Sequence, residues 1–295
     1  MIGVAPEANL LSVSVAFGEP GVDTDGQLAE AVRWSVDQGA DVINMSLTRN
    51  TLDWPRSWDE AFLYAAENDV VVVAAAGNRA DGTNEVGAPA TMPGVLTVAG
   101  LDRAGEASFD ASSQGITIGV SAPSEELVGA LPGDRYATWE GTSGAAPLVS
   151  GVAALVRSAH PELDAANVIE RVLATADSMG ATAPDPLYGY GRLDAAAAVT
   201  ESVPAVTENR MGDLAEWVRV YRRADAPDPS TAPEIAAPGP VPSPSPGHPV
   251  SALVPSVSQL RDAGLPLLLY AGLGVALVAI VTAAAADFAS RRRGE

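Results

Sequence analysis

The fold of this chain is decided by an apolar stretch that ends in a turn, Val71-Val72-Val73-Ala74-Ala75-Ala76-Gly77-Asn78. A continuous apolar run bounded by turn residues is typical of a strand that is buried on both faces of a sheet. Together with the preceding valine, the stretch predicts a strand over 70–76 that is ended by the glycine and the asparagine. A strand covered on both faces needs helices on each side, so the stretch indicates an α/β domain.

Outward from this stretch, apolar strands alternate with amphipathic segments. The pattern of hydrophobic residues predicts strands over 9–16, 41–47 and 95–100, and helices over 28–38 and 58–68. This alternation predicts a parallel sheet with helices on both faces. In such sheets the chemistry gathers at the carboxyl ends of the strands, which draws attention to the residues that follow Ala76.

Composition excludes several classes of function. The 295 residues are 47% hydrophobic and 18% charged, which is typical of a globular chain. The formal net charge of −20 would repel a phosphate backbone, so we expect no nucleic-acid partner. The chain has no cysteine, and its two histidines are His160 and His248. We therefore expect no disulfide, no metal site and no cofactor.

A second segment carries the chemistry, Gly141-Thr142-Ser143-Gly144-Ala145-Ala146-Pro147, which leads into a helix predicted over 148–158. A serine at the start of a helix lies at the positive end of the helix dipole, among backbone N–H groups without helical partners. An asparagine at the end of a neighbouring strand can direct its amide N–H to the same point. The backbone N–H of Ser143 and the side chain of Asn78 would then form an oxyanion hole. Each residue alone has a plainer interpretation, a helix cap for Ser143 and a turn residue for Asn78.

Together, these two segments resemble the subtilisin-like serine proteases, or subtilases. Further segments match the family in the same order along the chain, at 3–8, 39–47, 93–100, 107–109, 120–123 and 188–194. The matches run from residue 3 to about residue 199. The resemblance implies a subtilisin-like α/β fold and a serine endopeptidase, a hydrolase that cleaves polypeptides.

The resemblance also implies roles for individual residues. Ser143 would be the nucleophile that forms the acyl-enzyme, and Asn78 the oxyanion donor. An edge strand would pair with an extended peptide substrate, and a neighbouring segment would line the primary specificity pocket. The implied substrate strand is Ser46, Leu47 and Thr48, and the implied pocket lining is Ala74, Ala75, Ala76 and Gly77.

Two positions depart from the family pattern. Gly144 stands where the family usually has a bulky residue after the serine, so we expect a looser loop there. Thr48 replaces a frequent glycine on the substrate strand, so we expect a narrower cleft.

The catalytic acid and base of the family have no counterpart in this sequence. In subtilases the Asp and then the His precede the Gly-Val-Ala-Pro segment, with which this chain begins at Gly3. We therefore expect that the N-terminal third of the family domain is missing. His160 would lie roughly 25 Å from Ser143 along the predicted helix, whereas a general base must lie within about 3 Å. It is better interpreted as a helix-terminal residue before Pro161, and His248 as part of a linker.

The C-terminal part indicates a membrane anchor. After a subtilase-type domain over 1–203, we predict a short amphipathic helix within 204–224 and a proline-rich spacer over 225–263. An uncharged apolar run over 264–286 predicts a single transmembrane helix in contact with lipid. The tail 287–295, with Arg291, Arg292 and Arg293, would be cytoplasmic and the peptidase domain extracellular. This order of segments resembles the mycosins, subtilases that accompany type VII secretion systems.

Three interpretations follow. The first is a membrane-anchored serine endopeptidase whose 295-residue chain is inactive alone because it lacks the Asp and the His. The second is a membrane-tethered, non-catalytic module that binds peptides in the same cleft. The third is a gene remnant without function.

Overall fold

The computed structural model describes residues 3–222, which lie within one compact unit. Its centre is a parallel sheet with the strand order β1, β2, β3, β4: Val42–Met45, Val71–Ala75, Leu96–Leu101 and Ile118–Pro123. Val42 pairs with Val71, and Val73 pairs with Leu96, so the strands run in register with their carboxyl ends at one edge. The predicted parallel sheet is confirmed.

Strand β2 explains why the sheet is covered on both faces. All five of its residues are buried, and successive side chains point into different cores. Val72 and Ala74 enter the core formed with helices α1 (Thr24–Asp37) and α2 (Arg56–Glu67). The remaining side chains, Val71, Val73 and Ala75, enter a second core. The helices packed there are α3 (Thr142–Ala159), α4 (Ala165–Ala174) and α5 (Ala195–Thr200).

A two-stranded antiparallel hairpin follows β4 and precedes α3 along the chain. Its strands are β5 (Leu127–Leu131) and β6 (Arg135–Trp139), and Leu127 pairs with Trp139 across the ladder. Several of its large apolar side chains remain exposed, namely Val128, Leu131, Tyr136 and Trp139. The hairpin leads directly into the first turn of α3, so it fixes the direction from which the chain enters that helix.

The C-terminal segment of the described chain folds back onto α2. It comprises α6 (Leu214–Trp217) and a turn of π-helix over Val218–Arg222. The rings of Trp217 and Trp54 lie 4.5 Å apart between centroids. Arg222 Nε donates to Asp59 Oδ2 at 2.8 Å, and its guanidinium lies over both indole rings. Because Asp59 is 6% exposed, this ion pair and the aromatic contact close the segment firmly over α2.

The predicted strand over 9–16 is wrong. These residues form no strand, and Leu10 is 92% exposed. Alternating hydrophobicity creates a strand only where another strand lies alongside to accept and donate the backbone hydrogen bonds. Among the described strands, none pairs with this segment.

Other differences concern the ends of elements. Helix α3 begins at Thr142, before the predicted start at residue 148, so Ser143 lies within its first turn. Helix α1 also begins earlier than predicted, because Asp23 caps it by accepting the N–H of Gly26 at 2.9 Å.

None of the helices within residues 3–222 is long and apolar enough to span a bilayer. The predicted transmembrane helix over 264–286 lies outside the described residues, as do the spacer over 225–263 and the tail over 287–295.

Candidate active site

The carboxyl end of β2 meets the start of α3 through a set of hydrogen bonds centred on Thr142. Its backbone N–H donates to Asn78 Oδ1 at 2.8 Å, and its Oγ1 lies 3.0 Å from the same oxygen. The backbone N–H of Gly77 donates to Thr142 Oγ1 at 3.0 Å. Since Thr142 is fully buried, these bonds are shielded from water and fix Asn78 against the helix.

The orientation of the Asn78 amide follows from its partners. A backbone N–H can only donate, so the atom that faces Thr142 must be the amide oxygen. On the other side, Asn78 Nδ2 donates to Asp81 Oδ2 at 2.9 Å, and an ionised carboxylate can only accept. One N–H of the amide is engaged by Asp81 in this way, and the amide nitrogen carries a second one.

Gly141 allows this close approach. Its φ is +129°, a conformation that side chains rarely adopt, and a Cβ there would lie 2.8 Å from Asn78 Nδ2. The turn before α3 therefore requires glycine for two independent reasons.

Ser143 and Ser46 contact each other reciprocally. Ser46 Oγ donates to the backbone carbonyl of Ser143 at 2.8 Å, and Ser143 Oγ lies 3.3 Å from the backbone carbonyl of Ser46. Both residues are half-buried, and they are 97 positions apart in the sequence. The structure therefore brings together the predicted nucleophile and the first residue of the predicted substrate strand.

The rest of the predicted substrate strand lies beyond β1, which ends at Met45. Leu47 packs partly against the α1–α2 core, and Thr48 Oγ1 donates to the carbonyl of Arg49 at 3.1 Å. The chain is held at Arg49, whose N–H donates to the carbonyl of Ala88 at 2.8 Å. Residues 46–48 thus lead from Ser46, which contacts Ser143, to Arg49, which is bound to Ala88.

The residues predicted to line the specificity pocket lie at the end of β2 and directly after it. The side chains of Ala74 and Ala76 belong to the α1–α2 core, and that of Ala75 belongs to the α3–α5 core. Ala75 and Ala76 are at most 1% exposed. Gly77 is also buried, and its N–H is bound to Thr142 as described.

The space beside Gly144 is filled by the hairpin. A Cβ added to this glycine would overlap Leu127 Cδ1 and would lie 3.6 Å from Trp139 Cζ2. We expected a looser loop at this position, but the two hairpin side chains occupy the volume that a larger residue would need. The small residue after Ser143 is therefore matched by large residues across from it.

The interpretation of His160 as a helix-terminal residue is confirmed. It caps the C-terminus of α3, and its Nε2 lies 2.7 Å from the carbonyl oxygen of Val199. Ser143 lies at the opposite end of the same helix. In the part of the chain that the structure describes, no group of three or more His, Cys, Asp or Glu residues is arranged to hold a metal ion.

Sequence reasoning missed Thr142, Asp81 and Asn44 as parts of this site. Asn44 Nδ2 donates to Ser46 Oγ at 2.9 Å, and Ser150 Oγ lies 3.0 Å from Asn44 Oδ1. One signal was available in the sequence. Asn44 and Ser46 stand two positions apart, as residues on one face of an extended chain do.

Comparison with known proteins decides the family. The model of the subtilase family, Peptidase_S8, matches residues 1–191. The chain belongs to the subtilase family. This subtilase is 39% identical over 185 residues to the halolysin-like extracellular serine protease Nep of Natrialba magadii, covering 63% of this chain and 33% of that protein. It is 37% identical over 262 residues to Mycosin-3 of Mycobacterium tuberculosis, covering 69% of this chain and 56% of that protein.

Solved structures support the same assignment. The structure of the prenylagaramide maturation protease PagA matches this subtilase with a TM-score of 0.59 and 30% identity, over 67% of this chain and 74% of that chain. The structure of the MycP3 protease from the type VII (ESX-3) secretion system matches with a TM-score of 0.51 and 32% identity, over 63% of each chain. The subtilisin-like fold is therefore established, and this subtilase is similar to mycosins.

Proposed function

We propose that this protein is a membrane-anchored serine endopeptidase in which Ser143 is the nucleophile and Asn78 is an oxyanion donor. The observation that carries the proposal is the pair of bonds between Thr142 and Asn78 Oδ1, at 2.8 and 3.0 Å. They hold the amide of Asn78 beside the first turn of α3, from which Ser143 extends. The family membership supports the same chemistry.

The geometry supports the following reaction. Ser143 Oγ adds to the carbonyl carbon of the scissile peptide bond, and negative charge develops on the carbonyl oxygen. The second N–H of Asn78 Nδ2 and the backbone N–H of Ser143, at the positive end of α3, would donate to that oxygen. A general base would take the Ser143 hydroxyl proton during the addition and give it to the leaving amine as the C–N bond breaks. The acyl-enzyme that remains is then hydrolysed by water, whose addition the same base would assist.

The substrate would bind as an extended peptide along residues 46–48. Backbone groups at the edge of a sheet pair with an added strand, and the side-chain pockets beside that strand select the sequence. Ala75, Ala76 and Gly77 would line the pocket for the residue before the scissile bond. Because the alanine side chains are buried in the cores, it is the backbone of this segment that would form the wall.

A general base has to come from outside the described residues. His160, the histidine within 3–222, is bound to the carbonyl of Val199 at the far end of α3. Without a base the hydroxyl of Ser143 stays protonated and is a weak nucleophile. We propose that the acid and the base are supplied by polypeptide that lies outside residues 3–222.

The location of the enzyme is also a proposal. The apolar run over 264–286 is long enough to cross a bilayer, and the arginines at 291, 292 and 293 would remain on the cytoplasmic side. The peptidase domain would then face outward. The similarity to Mycosin-3 and to the MycP3 protease supports a type VII secretion system as its partner.

Labelling with a fluorophosphonate probe tests the catalytic assignment. The protein produced from the complete gene should be labelled, and Ser143→Ala should abolish labelling and peptide hydrolysis. Ser158→Ala is the matched control, because Ser158 is an exposed serine of the same helix. Labelling that persists in Ser143→Ala would refute the assignment.

A second candidate function is peptide binding without catalysis. It is favoured by the position of His160 at the far end of α3, because no other histidine within residues 3–222 could act as a base for Ser143. This candidate predicts that the protein from the complete gene binds an extended peptide but is neither labelled by the probe nor able to cleave the peptide.

A further inference from the structure

Helix α3 contains a proline where the reactive turn needs a donor. In an α-helix the carbonyl of residue i accepts the N–H of residue i+4, so the carbonyl of Ser143 should accept from position 147. That position is Pro147, which lies inside the helix and has no N–H. The carbonyl of the proposed nucleophile has therefore lost its helical partner.

Ser46 supplies the missing donor from another part of the fold. Its Oγ donates to the carbonyl oxygen of Ser143 at 2.8 Å, a normal length for a hydroxyl bond. The contact is partly buried and joins residues that are 97 positions apart. It replaces a bond within the helix by a bond between the helix and the proposed substrate strand.

Asn44 fixes the direction of this hydroxyl. Its Nδ2 donates to Ser46 Oγ at 2.9 Å, so the oxygen of Ser46 already acts as an acceptor there, and its single proton is directed to Ser143. Ser150, on α3, lies with its Oγ 3.0 Å from both Asn44 Oδ1 and the carbonyl of Ala146. The polar chain therefore starts and ends on α3 and passes through the end of β1.

We propose that Ser46 is a positioning residue for Ser143. Its hydroxyl replaces the helical hydrogen bond that Pro147 removes, and thereby ties the backbone of the nucleophile to the strand that receives the peptide. The expected effect of Ser46 on turnover rests on the proposed function, whereas its hydrogen bond to the carbonyl of Ser143 does not. Displacing a reacting group by about 1 Å can reduce a rate by about 10²-fold, so such a tie has consequences for turnover.

A double-mutant cycle on the full chain tests the hydrogen bond without any need for activity. Ser46→Ala should raise the equilibrium constant for unfolding by about fivefold, which is the usual net effect of losing one hydrogen bond. In the Pro147→Ala background the new backbone N–H donates to the carbonyl of Ser143. The same Ser46→Ala change should then have an effect below about twofold.

Control variants keep this result specific. Ser46→Thr retains a hydroxyl and should preserve stability in both backgrounds. Ser158→Ala, a serine of α3 outside the polar chain, should show no coupling to Pro147→Ala. An equal effect of Ser46→Ala with and without Pro147→Ala would overturn the inference.

The kinetic test uses the protein produced from the complete gene. Ser46→Ala should lower kcat by roughly tenfold with KM changed less than about twofold, because the lost bond positions the nucleophile rather than the peptide. Pro147→Ala should restore part of kcat, and Ser46→Thr should retain it. If hydrolysis depends on Ser143 but Ser46→Ala leaves kcat unchanged, this inference fails alone. If no Ser143-dependent hydrolysis occurs, the proposed function fails, and the unfolding cycle still decides the hydrogen bond.

Discussion

Asn78 and Thr142, which are 64 positions apart, are joined twice, because Asn78 Oδ1 accepts both the backbone N–H and the Oγ1 hydroxyl of Thr142. The strand end and the helix start are thereby locked together, and the amide nitrogen is turned away from Thr142. The two ends of the Asn78 amide therefore have separate roles. The oxygen binds the start of α3, and the nitrogen has one N–H that can donate to a substrate oxygen.

The two roles of Asn78 can be measured separately. Asn78→Ala removes both, and should reduce kcat by about 10²–10³-fold, the usual effect of losing one oxyanion donor. Asn78→Asp keeps an oxygen that can accept from Thr142 but has no N–H, so it should lose as much kcat. Because its second oxygen would face the Asp81 carboxylate, its stability is compared in an Asp81→Asn background, where its unfolding temperature should stay closer to that of the wild type than that of Asn78→Ala does. The measurements are steady-state kinetics on the protein from the complete gene and thermal unfolding of the same variants. Full activity in Asn78→Asp would contradict the donor role.

The contact between Gly144 and Leu127 predicts a compensating pair of substitutions. Gly144→Ala forces its Cβ into Leu127 Cδ1, the end of a side chain that can move, so it should cost about 1 kcal/mol of unfolding free energy. Leu127→Ala removes the obstacle, and the double variant should therefore be more stable than the sum of the two single effects predicts. Denaturant unfolding checks this result. Strictly additive changes in unfolding free energy would show that Leu127 does not limit the space beside residue 144.

The ion pair of Arg222 with Asp59 should be worth far more than a surface pair. Arg222→Ala leaves a carboxylate that is 6% exposed without its cation, and should cost about 3 kcal/mol of unfolding free energy. Arg219 provides the matched control, because it pairs with Glu216 while both side chains are more than half exposed. Arg219→Ala should change the unfolding free energy by less than about 1 kcal/mol. If Arg222→Ala and Arg219→Ala lower the unfolding free energy by similar amounts in denaturant unfolding, the pair of Arg222 with Asp59 contributes no more than a surface pair.

Membrane anchoring is tested by fractionation. The full chain should sediment with membranes and resist extraction with alkaline carbonate, because the apolar run over 264–286 would be inserted in the bilayer. A variant chain that ends at Pro255 should remain in the soluble fraction. Recovery of the full chain in the soluble fraction would contradict the proposal.

The parallel sheet and the two candidate residues Asn78 and Ser143 could be predicted from the sequence, because each is marked by a local pattern of residues. The apolar run that forms β2 is buried on both faces, so it shows in the hydrophobicity alone, and the asparagine that follows it must lie at the carboxyl edge. The start of α3 was harder to predict, since a glycine-rich segment with Pro147 has low helix propensity. Tertiary contacts to Asn78 and Ser46 compensate for that propensity.

The parts that could not be predicted depend on long-range pairing. The segment over 9–16 has the alternation of a strand, but pattern alone does not reveal whether a neighbouring strand is present. The link from Asn44 through Ser46 to Ser143 joins residues about one hundred positions apart, and no periodicity encodes it. Pro147 lacks an N–H, so the carbonyl of Ser143 needs a donor from outside the helix, but the sequence does not say which residue supplies it.

The closure of Arg222 over Trp54 and Trp217 also determines how mechanical force enters the domain. A pull on the chain beyond residue 222 acts first on the guanidinium, which donates to Asp59 and to the carbonyl of Trp54 at 2.8 and 2.9 Å. These partners belong to α2 and the loop before it, so the load passes into a helix that is packed against the sheet. Tension on residue 222 would therefore load this ion pair and the stacked indole rings before it reached the carboxyl end of β2, beside which Asn78 lies.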